Sequence, residues 1–125
     1  MSGKVVHFEI PADDVGRAEA FYKDAFGWEI QSMPEMDYTM VMTGPVGADG
    51  MPSEPGNING GMFRRGDLKN PVVTISVDDI DATLAKVADL GGSAVGEKMQ
   101  VGEMGWAAYF TDTEGNVMGL WQNAG

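Results

Sequence analysis

The chain has no cysteine. That removes thiolate nucleophiles, cysteine zinc sites and disulfide scaffolds in one step. Basic residues are scarce, with 8 Lys and Arg against 19 Asp and Glu, giving a formal net charge of −11 at pH 7. A field of that sign repels nucleic-acid phosphates and anionic lipid headgroups and favours cationic partners. Nucleic acid is therefore not an expected partner, and the plain use of so many acids is to keep the protein soluble. No apolar run approaches the roughly 18–20 residues needed to cross a bilayer. Met1-Ser2-Gly3-Lys4 leads straight into a strand-like run, with nothing that reads as a signal peptide. The expectation is a cytoplasmic protein with no membrane partner.

What is present suits one domain spanning residues 1–125, with 43% hydrophobic residues to build a core. The ten methionines read best as gap-fillers in that core. Sliding the chain against itself by about 65 residues, roughly half its length, aligns two halves without a gap. Val6-His7-Phe8-Glu9-Ile10 falls on Pro71-Val72-Val73-Thr74-Ile75, Asp13-Asp14 on Asp78-Asp79, and Gly27 on Gly92. The matches fall on structural punctuation, so the repeat is taken as real. Its units run over about 4–65 and 70–124 of the chain.

Each half opens with an alternating strand. Val6, Phe8 and Ile10 point to one face, His7 and Glu9 to the other; Val73, Ile75 and Val77 repeat the pattern. The acidic pairs that follow can cap helices. Helix one then carries Val15, Ala18, Phe21, Tyr22 and Ala25 at helical spacing, and helix two Ile80, Leu84, Val87 and Leu90. These stripes read as core. Gly27 and Gly91-Gly92 suit the left-handed residue that ends a helix. Three strands are expected after each helix: Glu29–Met33, Tyr38–Thr43 and Ile58–Phe63, then Ala94–Glu97, Trp106–Asp112 and Val117–Gln122. Asp112-Thr113-Glu114-Gly115-Asn116 is hairpin chemistry. The Gly- and Pro-rich stretch Gly44–Asn59 reads as a long exposed loop, either a lid or a plain surface loop. Its glycines, and Gly60-Gly61, lack the strand–loop–helix context of a phosphate cradle, which sets kinase and Rossmann readings aside.

The run Val6–Asp14, then Arg17-Ala18, Phe21-Tyr22 and Phe26-Gly27-Trp28, together with the closing Tyr109–Asn116, resembles the glyoxalase / bleomycin-resistance / extradiol-dioxygenase (vicinal oxygen chelate) superfamily. The resemblance spans nearly the whole chain. It implies an α+β fold of two tandem βαβββ units whose sheets curl into an open, barrel-like cleft, with His7 and Glu9 facing that cleft. It also implies a homodimer.

Metal-dependent members of that superfamily hold a divalent ion with His, Glu or Gln from strands of both units. His7 matches the first ligand position. The corresponding residue of the second unit is Val72, and the position of the closing Glu ligand is Gly119. Ile58-Asn59-Gly60-Gly61-Met62 offers no His or Glu either. A first-row ion needs at least three protein ligands. No metal or other cofactor is therefore expected, although Glu9, on the face of His7, leaves a weakly held ion conceivable.

His7 then has two open readings: a hydrogen-bonding group or general base in the pocket, or a satisfied structural histidine. Glu9 would lose hydration in a cleft and so needs either a role or a partner such as Arg17, Arg64, Arg65 or a backbone donor. Thr74 is the repeat partner of Glu9; Tyr109, Gly119 and Trp121 complete the candidate lining, with Gly119 leaving room. Tyr and Trp beside one carboxylate suit an aromatic or cationic organic ligand. The leading expectation is a metal-independent small-molecule binder. The alternatives are a glyoxalase-like lyase or isomerase, or a dioxygenase, using His7 and Glu9, and an interaction module without a small-molecule function.

Overall fold

Asp14 and Asp79 start the two helices. Each is extended, and each side-chain carboxylate accepts a hydrogen bond from the backbone N–H three residues on, Arg17 and Ala82 respectively. Gly27 ends the first helix at φ 73°, a left-handed conformation that glycine adopts without steric cost. The computed structural model describes residues 3–48 and 51–124. Its elements are β1 (Val5–Ala12), α1 (Val15–Phe26), β2 (Glu29–Met33), β3 (Tyr38–Met42), β4 (Gly60–Arg64), β5 (Val72–Ser76), α2 (Ile80–Asp89), β6 (Ser93–Val101), β7 (Gly105–Thr111) and β8 (Val117–Asn123). The order is βαβββ twice, an α+β fold.

The chain divides into two compact units. One is His7–Pro71; the other runs from Val72 onward and takes in the stretch up to Val6. That N-terminal stretch is tied to the second unit through Ser76, whose carbonyl accepts from the Gly3 N–H at 2.6 Å and whose N–H donates to the Lys4 carbonyl at 2.8 Å.

In the first unit the strands lie in the order β2-β3-β4-β1. β1 runs parallel to β4, with Glu9 opposite Gly61, and β3 runs antiparallel to β4, with Met40 opposite Gly61. In the second unit the order is β5-β8-β7-β6. There Thr74 lies opposite Gly119 across a parallel pair, and Tyr109 opposite Gly119 across an antiparallel one. Ile80, Ala108, Phe110 and Leu120 form the core of this unit, with Ile75, Val77, Leu84 and Val87 packed against it. Complete burial of Ile80 or Leu120 contributes about 2 kcal/mol each. The β7–β8 hairpin closes where expected: the Asp112 side chain accepts from the N–H groups of Glu114 and Asn116, and Gly115 sits at φ 82°.

The helix stripes differ from their reading as core. α1 has no buried residue, and Phe21 is 59% exposed. Its rings cover one another instead. Tyr22 stacks on Trp28 at 4.9 Å and 5°, and Phe21 meets Tyr22 edge-on at 5.2 Å. In α2 only Ile80 is buried, and Leu90 at the helix end is 68% exposed. Short amphipathic helices on a four-stranded sheet bury a narrower stripe than their apolar spacing suggests.

Candidate functional site

Strand parity assigns the candidate residues to faces. In the first unit Phe8 and Ile10 lie on the side of α1: Phe8 packs at 5.8 Å on Trp28, which stacks on Tyr22 of α1. His7 and Glu9 therefore occupy the opposite face. In the second unit Ile75 and Leu120 pack with the α2 residues Ile80 and Leu84, so Thr74, Tyr109, Gly119 and Trp121 likewise lie on the face away from the helix. The alternation read from the sequence places all six candidates on the corresponding face of their own unit.

Within the first unit the structure adds a residue that sequence reasoning missed. β2 ends in a 3₁₀ turn, Pro34–Met36, and Asp37 at φ 52° reverses the chain so that Tyr38 opens β3. Asp tolerates that left-handed conformation better than most non-glycine residues. The Tyr38 side chain lies over Gly61, in the place a side chain at 61 would need. Its ring also meets Phe63 at 6.3 Å. Its hydroxyl sits between His7 and Glu9: Nε2 of His7 is 3.0 Å from Oη, and Oη donates to Oε2 of Glu9 at 3.1 Å. This hydroxyl is one hydrogen-bond partner of Glu9, which is 9% exposed. Arg65 is engaged with Asp13 at 2.9 Å. Burial pushes the His7 pKa below its ordinary value of 6.5, and the negative charge of Glu9 partly opposes that shift.

In the second unit a different neighbour, from the parallel partner strand β5, lies over the equivalent glycine. Thr74 is buried, and its Oγ lies 2.7 Å from where a Cβ on Gly119 would stand. The room expected at Gly119 is therefore taken up by the Thr74 hydroxyl, with Val72 beside it at 3.5 Å. Trp121 donates through Nε1 to Asn123 Oδ1 at 2.7 Å.

The donor set can now be tested against a divalent ion. Gly61 and Gly119 hold equivalent register positions, opposite the repeat partners Glu9 and Thr74. Neither can supply a carboxylate, and a side chain at either would collide with Tyr38 or Thr74. Val72 has no donor atom. His7 and Glu9 already share a hydroxyl. These residues do not fit a first-row ion that needs three or more protein ligands.

Two open hollows also indent the first unit, of about 340 and 350 Å³. One runs along Ile10–Asp14 and the α1 residues Arg17, Phe21 and Tyr22; the other lies between Val15, Glu19, Tyr38 and Phe63. His7 and Glu9 line neither, and the convergent polar groups are the better guide to chemistry here.

The comparisons with known proteins agree with this architecture. Residues 4–44 match the profile of the bleomycin resistance protein-like N-terminal family. A glyoxylase-like domain-containing protein of Didymella fabae is 30% identical over 122 residues, covering 94% of this chain and 91% of that protein. CFP32 of Mycobacterium tuberculosis, which carries a glyoxylase name, is 30% identical over 121 residues. Those residues are 91% of this chain but only 43% of CFP32, so the chain spans less than half of that relative. Among solved structures, a variant of methylmalonyl-CoA epimerase from Streptomyces coelicolor, in complex with 2-nitronate-propionyl-CoA, superposes with a TM-score of 0.67 at 17% identity, covering 100% of both chains. Repeat, register and full-length relative agree: the chain belongs to the glyoxalase / bleomycin-resistance / extradiol-dioxygenase superfamily.

Proposed function

We propose that this protein binds a small organic ligand, aromatic or cationic, against the sheet face that carries His7, Tyr38 and Glu9, without a divalent metal. The observation that carries this reading is the clasp of the Tyr38 hydroxyl between His7 and Glu9. Polar side chains that converge on a half-buried sheet face cost desolvation, and a ligand-recognition role accounts for them. The net charge of −11 favours a cationic guest. A cytoplasmic homodimer is the working form.

The test is calorimetric titration of metal-stripped protein with Ni²⁺, Co²⁺, Zn²⁺ and Mn²⁺, followed by a thermal-shift screen of aromatic and cationic compounds. Weak, non-stoichiometric metal binding together with a saturable compound is the expected pair of results. Tight 1:1 metal binding that disappears in His7→Ala would sink the metal-free reading.

A second reading is a lyase or isomerase in which His7 and Glu9 move protons. It is favoured by the hydrogen-bonded chain from imidazole through phenol to carboxylate, and by the likeness of the fold to methylmalonyl-CoA epimerase. Solvent-deuterium incorporation into a bound C–H acid such as methylmalonyl-CoA would support it.

A further inference from the structure

The chain His7–Tyr38–Glu9 has a direction, and the direction decides what the site recognises. A carboxylate can only accept hydrogen bonds, and a phenol has one proton to give. With Glu9 negatively charged, the Tyr38 proton goes to Oε2 of Glu9, 3.1 Å away. The Tyr38 oxygen is then an acceptor towards His7, so Nε2 of His7, 3.0 Å away, must carry a hydrogen. A neutral imidazole with its proton on Nε2 has a lone pair on Nδ1. Among the described residues no buried side-chain nitrogen or oxygen lacks a hydrogen-bond partner. Nδ1, for which the structure gives no partner, is therefore reached by solvent.

Resting on the ligand-binding reading above, we propose that Tyr38 and Glu9 are positioning residues that hold His7 in the Nε2–H tautomer, so that Nδ1 accepts a hydrogen bond from a ligand bearing a protonated nitrogen. A carboxylate or phosphate ligand would bring a second acceptor against that lone pair. It would also bring a negative charge towards Glu9 on a chain already at −11. An ammonium or amidinium group satisfies both: it donates to Nδ1 and is attracted by the acidic field. The burial that disfavours the imidazolium form keeps the lone pair available at neutral pH.

Because His7 is the only histidine, its ring nitrogens give a single set of signals in a two-bond ¹H–¹⁵N spectrum of labelled protein. At pH 7.5 the wild type is expected to show the neutral Nε2–H pattern. Tyr38→Phe, which removes the acceptor while keeping the ring, should shift the pattern towards a mixture of tautomers. Glu9→Gln should do the same by a separate route, since a carboxamide can donate as well as accept. An Nδ1–H tautomer or an imidazolium in the folded wild type overturns the proposal without reference to any ligand.

The ligand half is read with benzylammonium, benzyltrimethylammonium and benzoate. Benzylammonium should move the Nδ1 resonance and bind about five-fold more tightly than its trimethyl analogue, which keeps the charge but has no N–H. Preferential binding of benzoate overturns the assignment of ligand class. Failure of all three to move any amide of His7–Ala12, with the Nε2–H tautomer intact, would sink the ligand-binding reading on which the proposal rests.

Discussion

Tyr38→Phe isolates one oxygen atom. Phenylalanine keeps the ring that lies over Gly61 and packs at 6.3 Å on Phe63, so the space stays filled. What disappears is the hydroxyl that spans 3.0 Å to His7 and 3.1 Å to Glu9. A neutral hydrogen bond contributes about 1 kcal/mol net and one to a charged group about 1.5–3 kcal/mol, while an abandoned buried partner costs its desolvation. Entry of water and the other contacts of Glu9 offset part of this. The expected loss is about 2 kcal/mol. For 125 residues the unfolding entropy is about 0.26 kcal/mol/K, so Tm should fall by about 8 °C. Urea denaturation followed by far-UV circular dichroism gives the free energy, and an unchanged m-value would show that the native fold is retained. The cycle with Glu9→Gln should return a coupling of at least about 0.5 kcal/mol, because the two groups share a bond. A Tyr38→Phe protein within about 0.5 kcal/mol of wild type would refute the argument, since that is the scale of a substitution that touches nothing.

The sheet glycines and His7 make two further predictions. Gly119→Ala should destabilise by about 1–2 kcal/mol, because its Cβ would meet Thr74 Oγ at 2.7 Å, and Thr74→Ala in the same chain should recover part of the loss. Gly60→Ala should cost more, about 3 kcal/mol, since there the collision is with the backbone carbonyl of Phe8, which cannot rotate away; equal costs in urea titrations would contradict this ordering. The pKa of His7 is lower in the folded protein than the ordinary 6.5, so below pH 6.5 the unfolded chain binds the proton more readily. Stability should be full above pH 6.5, fall as pH drops from 6.5 to the folded-state pKa, and then lose this dependence. His7→Gln should flatten that window, and a stability that rises on acidification there would reverse the sign of the reasoning.

The fold was legible because its signals are local and repeated. Asp14, Gly27 and Asp79 act on their own helix ends, and strand parity needs only a period of two. Most strand ends lie within two residues of their reading, but the strand read as Ala94–Glu97 runs over Ser93–Val101; the reading Ile58–Phe63 became Gly60–Arg64, where ladder pairing with β1 rather than composition sets the limit. The apolar stripe of α1 was misread because spacing reports which residues share a face and not how much sheet there is to cover them. Phe21 meets Tyr22 edge-on, and Tyr22 stacks on Trp28.

The site was legible only in the half carried by the repeat. His7 and Glu9 stood out through their family position and strand parity, but Tyr38 lies 29 residues beyond Glu9, on a strand that reads from sequence as ordinary β3. Its role depends on register, which no local pattern encodes: Met40 must fall opposite Gly61 for Tyr38, two residues earlier, to lean over the glycine. There was one indirect signal. A glycine in mid-strand weakens the ladder and often marks the close approach of another group. Gly61 and Gly119 both occupy such positions, and a hydroxyl fills the gap at each, from Tyr38 in one unit and Thr74 in the other. The two glycines, which supply no carboxylate, thus make room for hydroxyl groups, of which that of Tyr38 donates to Glu9. At Gly61 the absent side chain and the tyrosine clasp share one space, and in the proposal above the chemistry left at His7 is that of a hydrogen-bond acceptor.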